Sequence, residues 1–178
     1  MWWRSPKREF RPAALAALVA AAAALGACGF QPLYGDNGAR NASAELAAVH
    51  INTIPDRNGQ MLHNFLLDRI NAQGRPSDPR YVLDIRLTES KASLGIIKDS
   101  SSTLAQIASV ANYTLRDLKA NKVLQSGRSR SVTSYNIVQS DFATLAAEKD
   151  ARERTLRELS EDITTKVAVF LSARKEGS

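Results

Sequence analysis

The chain has one cysteine in 178 residues, and Cys28 stands at the end of an apolar run, directly after Leu25-Gly26-Ala27. A single thiol closes no internal disulfide, so whatever folds after it must be held by packing alone. The residues before it add a second constraint. Arg4, Lys7, Arg8 and Arg11 stand against one acid, Glu9, and lead into Ala13–Leu25, which contains only Ala, Leu and Val. As a helix this run reaches about 20 Å, short of the roughly 20 residues that cross a bilayer. A basic start, a short apolar stretch and small residues at a boundary form the pattern of an export signal. Residues 1–27 are therefore expected to be removed.

Leu25, Gly26 and Ala27 before Cys28 resemble the lipobox that lipoprotein signal peptidase cleaves, which makes Cys28 the expected lipid attachment site. The small residues let an extended chain enter a peptidase, and the thiol can be alkylated to a thioether. Each buried methylene of an acyl chain adds about 0.8 kcal/mol of membrane affinity, so several chains on one cysteine anchor firmly. Residue +2 is Gly29. By resemblance to lipoprotein sorting rules, the absence of Asp there points to the outer membrane.

Removing the four bases and one acid of the leader lowers the net charge from +6 to +3. That mild excess suits an anionic partner without demanding nucleic acid. The sequence holds no zinc-ligand spacing, no Gly-rich phosphate loop and no internal repeat. Apart from the covalent lipid on Cys28, no cofactor is expected.

The expected organisation after the leader is a lipidated tether over 28–44, one domain over 45–174 and a tail over 175–178. Gly, Pro, Asn, Asp and Ser recur through the tether without apolar periodicity. A short strand is expected around 46–54, with Val49 and Ile51 on one face, ended by Pro55. Met61, Leu62, Phe65, Leu66 and Ile70 recur at helical spacing and predict a helix over 56–72. Gly74 and Pro76 follow as stop signals. Tyr81, Leu83, Ile85 and Leu87 alternate with Val82, Asp84, Arg86 and Thr88, giving the clearest strand, 80–90.

A second extended run, 92–98, leads to a turn at Asp99–Ser102. A long strand is expected over 103–117, a hairpin turn at Ala120-Asn121-Lys122, and a return strand over 123–138 with Gly127 marking a bulge. Ser140 is a fitting N-cap for a helix over 141–174, whose stripe is Phe142, Leu145, Leu156, Leu159, Ile163, Val167 and Phe170. Two amphipathic helices and a mainly antiparallel sheet of about four strands predict an α+β two-layer sandwich, with both helices on one face.

The stretch Cys28-Gly29-Phe30-Gln31-Pro32-Leu33-Tyr34-Gly35 resembles the mature start of the lipopolysaccharide-assembly lipoprotein LptE family in its alphaproteobacterial form. Asn112-Tyr113-Thr114-Leu115-Arg116-Asp117 is similar to the family's central strand. Ser134-Tyr135-Asn136 and Ser140-Asp141-Phe142-Ala143 fit the approach to its last helix. The resemblance implies two helices on a four-stranded sheet and no enzymatic activity. It further implies a complex with the outer-membrane barrel LptD, in which the domain plugs the lumen and assists delivery of lipopolysaccharide. Two alternatives stay open: a periplasmic lipid-binding or transporter-auxiliary lipoprotein, and a cell-envelope hydrolase.

Lys119, Lys122, Arg128 and Arg130 gather around the hairpin and return strand. Arg128 and Arg130 are two apart and share a strand face, and Arg binds phosphate through paired hydrogen bonds. The strip is a candidate contact for anionic lipid or a barrel wall; its plain alternative is a charged edge strand that resists aggregation. His50 and His63 lie on different elements and read as structural. Ser140 and Asp141 lack an adjacent base and read as capping residues. The triplets Asn41-Ala42-Ser43 and Asn112-Tyr113-Thr114 match a glycosylation signal only by composition. Asp150, Arg152, Glu153, Arg154, Arg157, Glu158, Glu161 and Asp162 read as a solvated helix face, with i,i+4 pairs Asp150–Arg154 and Glu153–Arg157.

Overall fold

The computed structural model describes residues 38–96 and 103–176. Cys28, the Leu25-Gly26-Ala27 motif, the tether up to residue 37 and the Asp99–Ser102 turn lie outside the described residues. The elements run α1 (Gly38–Ala47), β1 (Val49–Ile51), α2 (Asp56–Ile70), β2 (Tyr81–Ile96), β3 (Thr103–Asp117), β4 (Lys122–Ile137) and α3 (Asp141–Glu176). The sheet order is β1-β2-β3-β4; β1 is parallel to β2, and the other pairs are antiparallel. The α+β sandwich follows the sequence pattern, with α2 and α3 on one face.

Several local readings change. Residues 38–44, read as tether, belong to α1. Ala-rich sequence favours helix, and the end of α1 is fixed by tertiary contacts. Leu46 packs on the core, and Glu45 accepts hydrogen bonds from Arg80 and from the Tyr81 hydroxyl. The first strand is correspondingly short, Val49–Ile51 rather than 46–54. Helix α2 ends at Ile70, because Asn71 caps it with its N–H on the Leu67 carbonyl and its side chain on the Val49 carbonyl.

The two runs at 80–90 and 92–98 form one strand, β2, with a register shift between Ser93 and Ile96. Gly127 is not a bulge. It pairs in register with Tyr113, and the irregularity falls at Leu115/Arg116 instead. A Cβ on Gly127 would collide with the Tyr113 ring, so glycine lets the ring lie across the neighbouring strand.

The molecule has two unequal halves. Near β1, large apolar side chains fill the space between layers: Leu62 and Leu66 from α2, Leu83 and Leu115 from the sheet, and Leu156, Leu159 and Ile163 from α3, all fully buried. Beyond the end of β1 only three strands and α3 continue. There the core shrinks to Ala105, Ile107, Tyr135 and Ala151. Phe142 and Leu145, read as part of the core stripe, are exposed at 83% and 66%. The sheet beneath them has narrowed and α2, which starts at Asp56, covers the other end.

Polar pairs replace apolar packing in this narrow half. Arg152, read as solvated, donates to Glu89 of β2 at 3.0 Å and to Glu148 at 2.8 Å. Glu148 also accepts from Lys91 at 2.5 Å and from the Tyr135 hydroxyl at 3.1 Å. Asn58 of α2 joins through Glu89 at 3.1 Å. Glu158 and Asp162, also read as solvated, accept from Ser131 and Ser129 of β4 at 2.5 Å each. The exposed pairs Asp150–Arg154 and Glu153–Arg157 form as expected.

Hydrogen bonds from Lys91, then Arg152 and Tyr135, hold the Glu148 carboxyl down to about 2, against an ordinary 4.5. A carboxyl with a depressed folded pKa stabilises the fold above its unfolded pKa and loses that contribution as pH falls through the folded value. Glu148→Gln is therefore expected to melt lower than wild type at pH 7. That gap should close between about pH 4.5 and pH 2, read by thermal denaturation across pH. Gly127→Ala is expected to lose about 1–3 kcal/mol through overpacking against Tyr113, measured by urea unfolding.

Candidate anion-binding face

Each strand alternates, so the sheet has an inner face under the helices and an outer face that no described helix covers. In β3 the inner residues Ala105, Ile107, Ser109, Ala111, Tyr113 and Leu115 are all buried, whereas Asn112 on the outer face is exposed. The register places Arg86 of β2 and Arg128 of β4 on either side of Asn112. Arg130 follows on the same outer face, level with Val110. Two strand spacings separate Arg86 from Arg128 by about 10 Å between Cα atoms, and Arg128 and Arg130 stand about 7 Å apart.

All three arginines are exposed. None has a side-chain hydrogen bond or ion pair among the described residues. The neighbouring Arg116 is different: its guanidinium grips Asp84 at 3.0 and 2.7 Å. Asn52 donates to the same carboxylate at 2.6 Å. Asp84 is thereby satisfied, and the three free guanidinium groups keep their donors for an external anion. Val110, Val132 and Ala108 lie half-buried beside them on the same face, so the arginines border an apolar strip.

The four sequence candidates divide into two places. Arg128 and Arg130 belong to the outer face of β4, which is an edge strand as the plain reading supposed. Lys119 and Lys122 sit at the β3–β4 turn. Lys122 pairs with Asp117, about 20 Å along the strand from Arg128. Lys119 borders a cleft of about 530 Å³ with Arg80, Tyr81, Asp117 and Arg174. Hydrogen bonds from the Ala120 N–H, then the Lys119 N–H, lower the Asp117 pKa and fix the turn. The four residues are thus not one strip. Arg86 was the missed partner: its alternation with Ile85 and Leu87 was visible, but its alignment with Arg128 depends on strand register.

The remaining candidates behave structurally. His63 is buried on α2, and burial lowers its pKa, favouring the neutral ring. His50 lies on β1, and no group of three metal-ligating side chains occurs among the described residues. Ser140 caps α3 through its hydroxyl to the Ala143 N–H at 3.4 Å. Asn112 is in β3 and Asn41 in α1. Burial opposes ionisation of Asp162, but donors from Lys166 and Ser129 outweigh it and lower its pKa.

The described residues thus form a four-stranded α+β sandwich with one helical layer and an arginine group on its uncovered face. No family model and no curated protein matches the chain. Solved structures do share the fold. A Caulobacter crescentus protein described as a lipoprotein aligns with a TM-score of 0.59 at 19% identity, covering 75% of this chain and 97% of that one. A minor lipoprotein from Acinetobacter baumannii gives 0.54 at 18%, covering 68% and 91%. Rare lipoprotein B from Shewanella oneidensis gives 0.52 at 9%, covering 68% and 93%. At these identities the likeness establishes the fold.

Because Arg128 and Arg130 are exposed and unpaired, Arg128→Gln/Arg130→Gln is expected to leave stability within about 0.5 kcal/mol. Arg116→Ala, which breaks the half-exposed pair with Asp84, is expected to lose about 0.2–1 kcal/mol. Parallel urea titrations check both.

Proposed function

We propose that this chain is an outer-membrane lipoprotein of the LptE type, anchored through Cys28, that assembles with an LptD-type β-barrel and helps deliver lipopolysaccharide to the outer leaflet. It works by binding and positioning, without catalysis. The observation that carries the reading is the fold: it spans more than nine-tenths of three proteins described as lipoproteins. The lipobox before Cys28 and the resemblance of the following octet support it independently.

In this reading the domain occupies a barrel lumen, which in wide barrels leaves room for a folded plug. The long charged face of α3 meets the polar lumen wall. The Arg86, Arg128 and Arg130 group offers phosphate ligands, and the adjoining Val and Ala residues accommodate an apolar chain. The alternative of a lipid-holding cavity between the layers has less support, because that space is filled by Leu62, Leu66, Leu156, Leu159 and Ile163.

Mild-detergent solubilisation followed by purification on this chain is expected to bring down an outer-membrane β-barrel in stable complex. Recovery only with inner-membrane transporter subunits would replace the proposal with the transporter-auxiliary one. Arg128→Glu/Arg130→Glu should weaken binding of purified lipopolysaccharide about tenfold or more; unchanged binding removes the arginine face from the proposal.

A further inference from the structure

The sheet has an open edge in its middle. Strand β1 pairs with only Tyr81–Leu83 of the 16-residue β2. The Tyr81 N–H donates to the Ala48 carbonyl at 3.2 Å, and the Leu83 carbonyl accepts from the Asn52 N–H at 3.1 Å. Odd-numbered residues of β2 therefore turn their backbone groups toward this edge. The next ones, Ile85, Leu87 and Glu89, find no backbone partner on that side among the described residues.

The chain leaves the sheet abruptly after β1. Pro55 is extended, and Asp56, the first residue of α2, takes a left-handed φ of 67°. This departure opens a cleft of about 520 Å³, bordered by Asn52, Thr53, Asp56, Arg86, Leu87 and Asn112. The cleft combines an unpaired strand edge with side chains of two kinds. Leu87 is half-buried on the inner side against the main core. Arg86 is exposed on the outer side without a partner, while Asp84 is already neutralised by Arg116. Asp56 on the far wall is offset by the adjacent exposed Arg57.

The other edge differs. Along β4, Arg128 and Arg130 flank the exposed backbone, and Lys166 donates to the Arg128 carbonyl at 3.2 Å. Cations on an edge discourage strand addition. The β2 edge from Ile85 to Glu89 carries a single cation, Arg86, and among the described residues no side chain donates to its backbone.

We propose that the β2 edge from Ile85 to Glu89 receives an extended segment of a partner protein, added as a strand where β1 stops. Main-chain bonds to Ile85 and Leu87 supply the attachment. Charge complementarity selects the segment: an acidic side chain beside Arg86 on the outer face, alternating with apolar side chains that lie beside Leu87 on the inner face. The inference shares Arg86 with the arginine group, but its attachment rests on the unpaired backbone of Ile85 and Leu87.

The test uses the full chain in detergent and a synthetic decapeptide of alternating Val and Glu, with alternating Val and Lys as the counter-probe. The readout is residue-resolved amide exchange. The Val-Glu peptide is expected to slow exchange at Ile85 and Leu87 about tenfold, with β4 amides unchanged. Arg86→Glu, at an exposed position that leaves the fold intact, is expected to reverse the preference toward the Val-Lys peptide. Absence of protection at Ile85 and Leu87 at millimolar peptide overturns the proposal. Protection confined to β4, or equal protection by both peptides, overturns it as well.

Discussion

The structure depends on α3 lying along the inner face of β3 and β4. Its stripe of Leu156, Leu159, Ile163 and Val167 reaches full burial only because the sheet offers a matching row, Ala111, Tyr113 and Leu115. With no disulfide available, that contact and the docking of α2 beside it are what order the domain. One helical layer satisfies one sheet face and, among the described residues, leaves the other without a helical cover. The open outer face, and hence the arginine group, follows from this asymmetry.

The same helix changes character along its length. Toward its C-terminal end it packs through large apolar residues. Toward its N-terminal end it reaches the sheet through Glu148 and Arg152, and midway, between the apolar residues, Glu158 and Asp162 accept from Ser131 and Ser129 of β4. Such pairs are directional and require the right neighbours in place, whereas apolar packing tolerates substitution more readily. Phe142 and Leu145 lie beyond both regimes and remain exposed. A narrower, more polar half joined to a wide apolar half leaves little buried apolar area where only β2, β3, β4 and α3 continue.

Function in this reading rests on surfaces rather than on a catalytic constellation. The two histidines are on separate elements, and Ser140 is engaged as a cap. The surfaces the described residues offer to this reading are free guanidinium groups on an open sheet, an apolar strip beside them, and a strand edge vacated by β1. The proposed lipid on Cys28 would hold such a domain at a membrane while leaving these surfaces available.

Much of the architecture was legible in the sequence. Period-two alternation marked β2 and β3, and apolar residues at three- and four-residue spacing marked α2 and α3, because burial on one face imposes those periods. The lone cysteine ruled out disulfide support. What the sequence left undecided is what depends on contacts between distant residues. Helix α1 exists because Leu46 and Glu45 find partners in the core and on Arg80 and Tyr81. Gly127 answers to the Tyr113 ring rather than to a bulge. Arg152, Glu158 and Asp162 look solvated on a helix diagram, but the sheet lies beneath them. Arg86 joins Arg128 only through strand register. Periodicity reports which face of an element is apolar; only the tertiary structure decides what that face meets, because register and layer order are set by the chain as a whole.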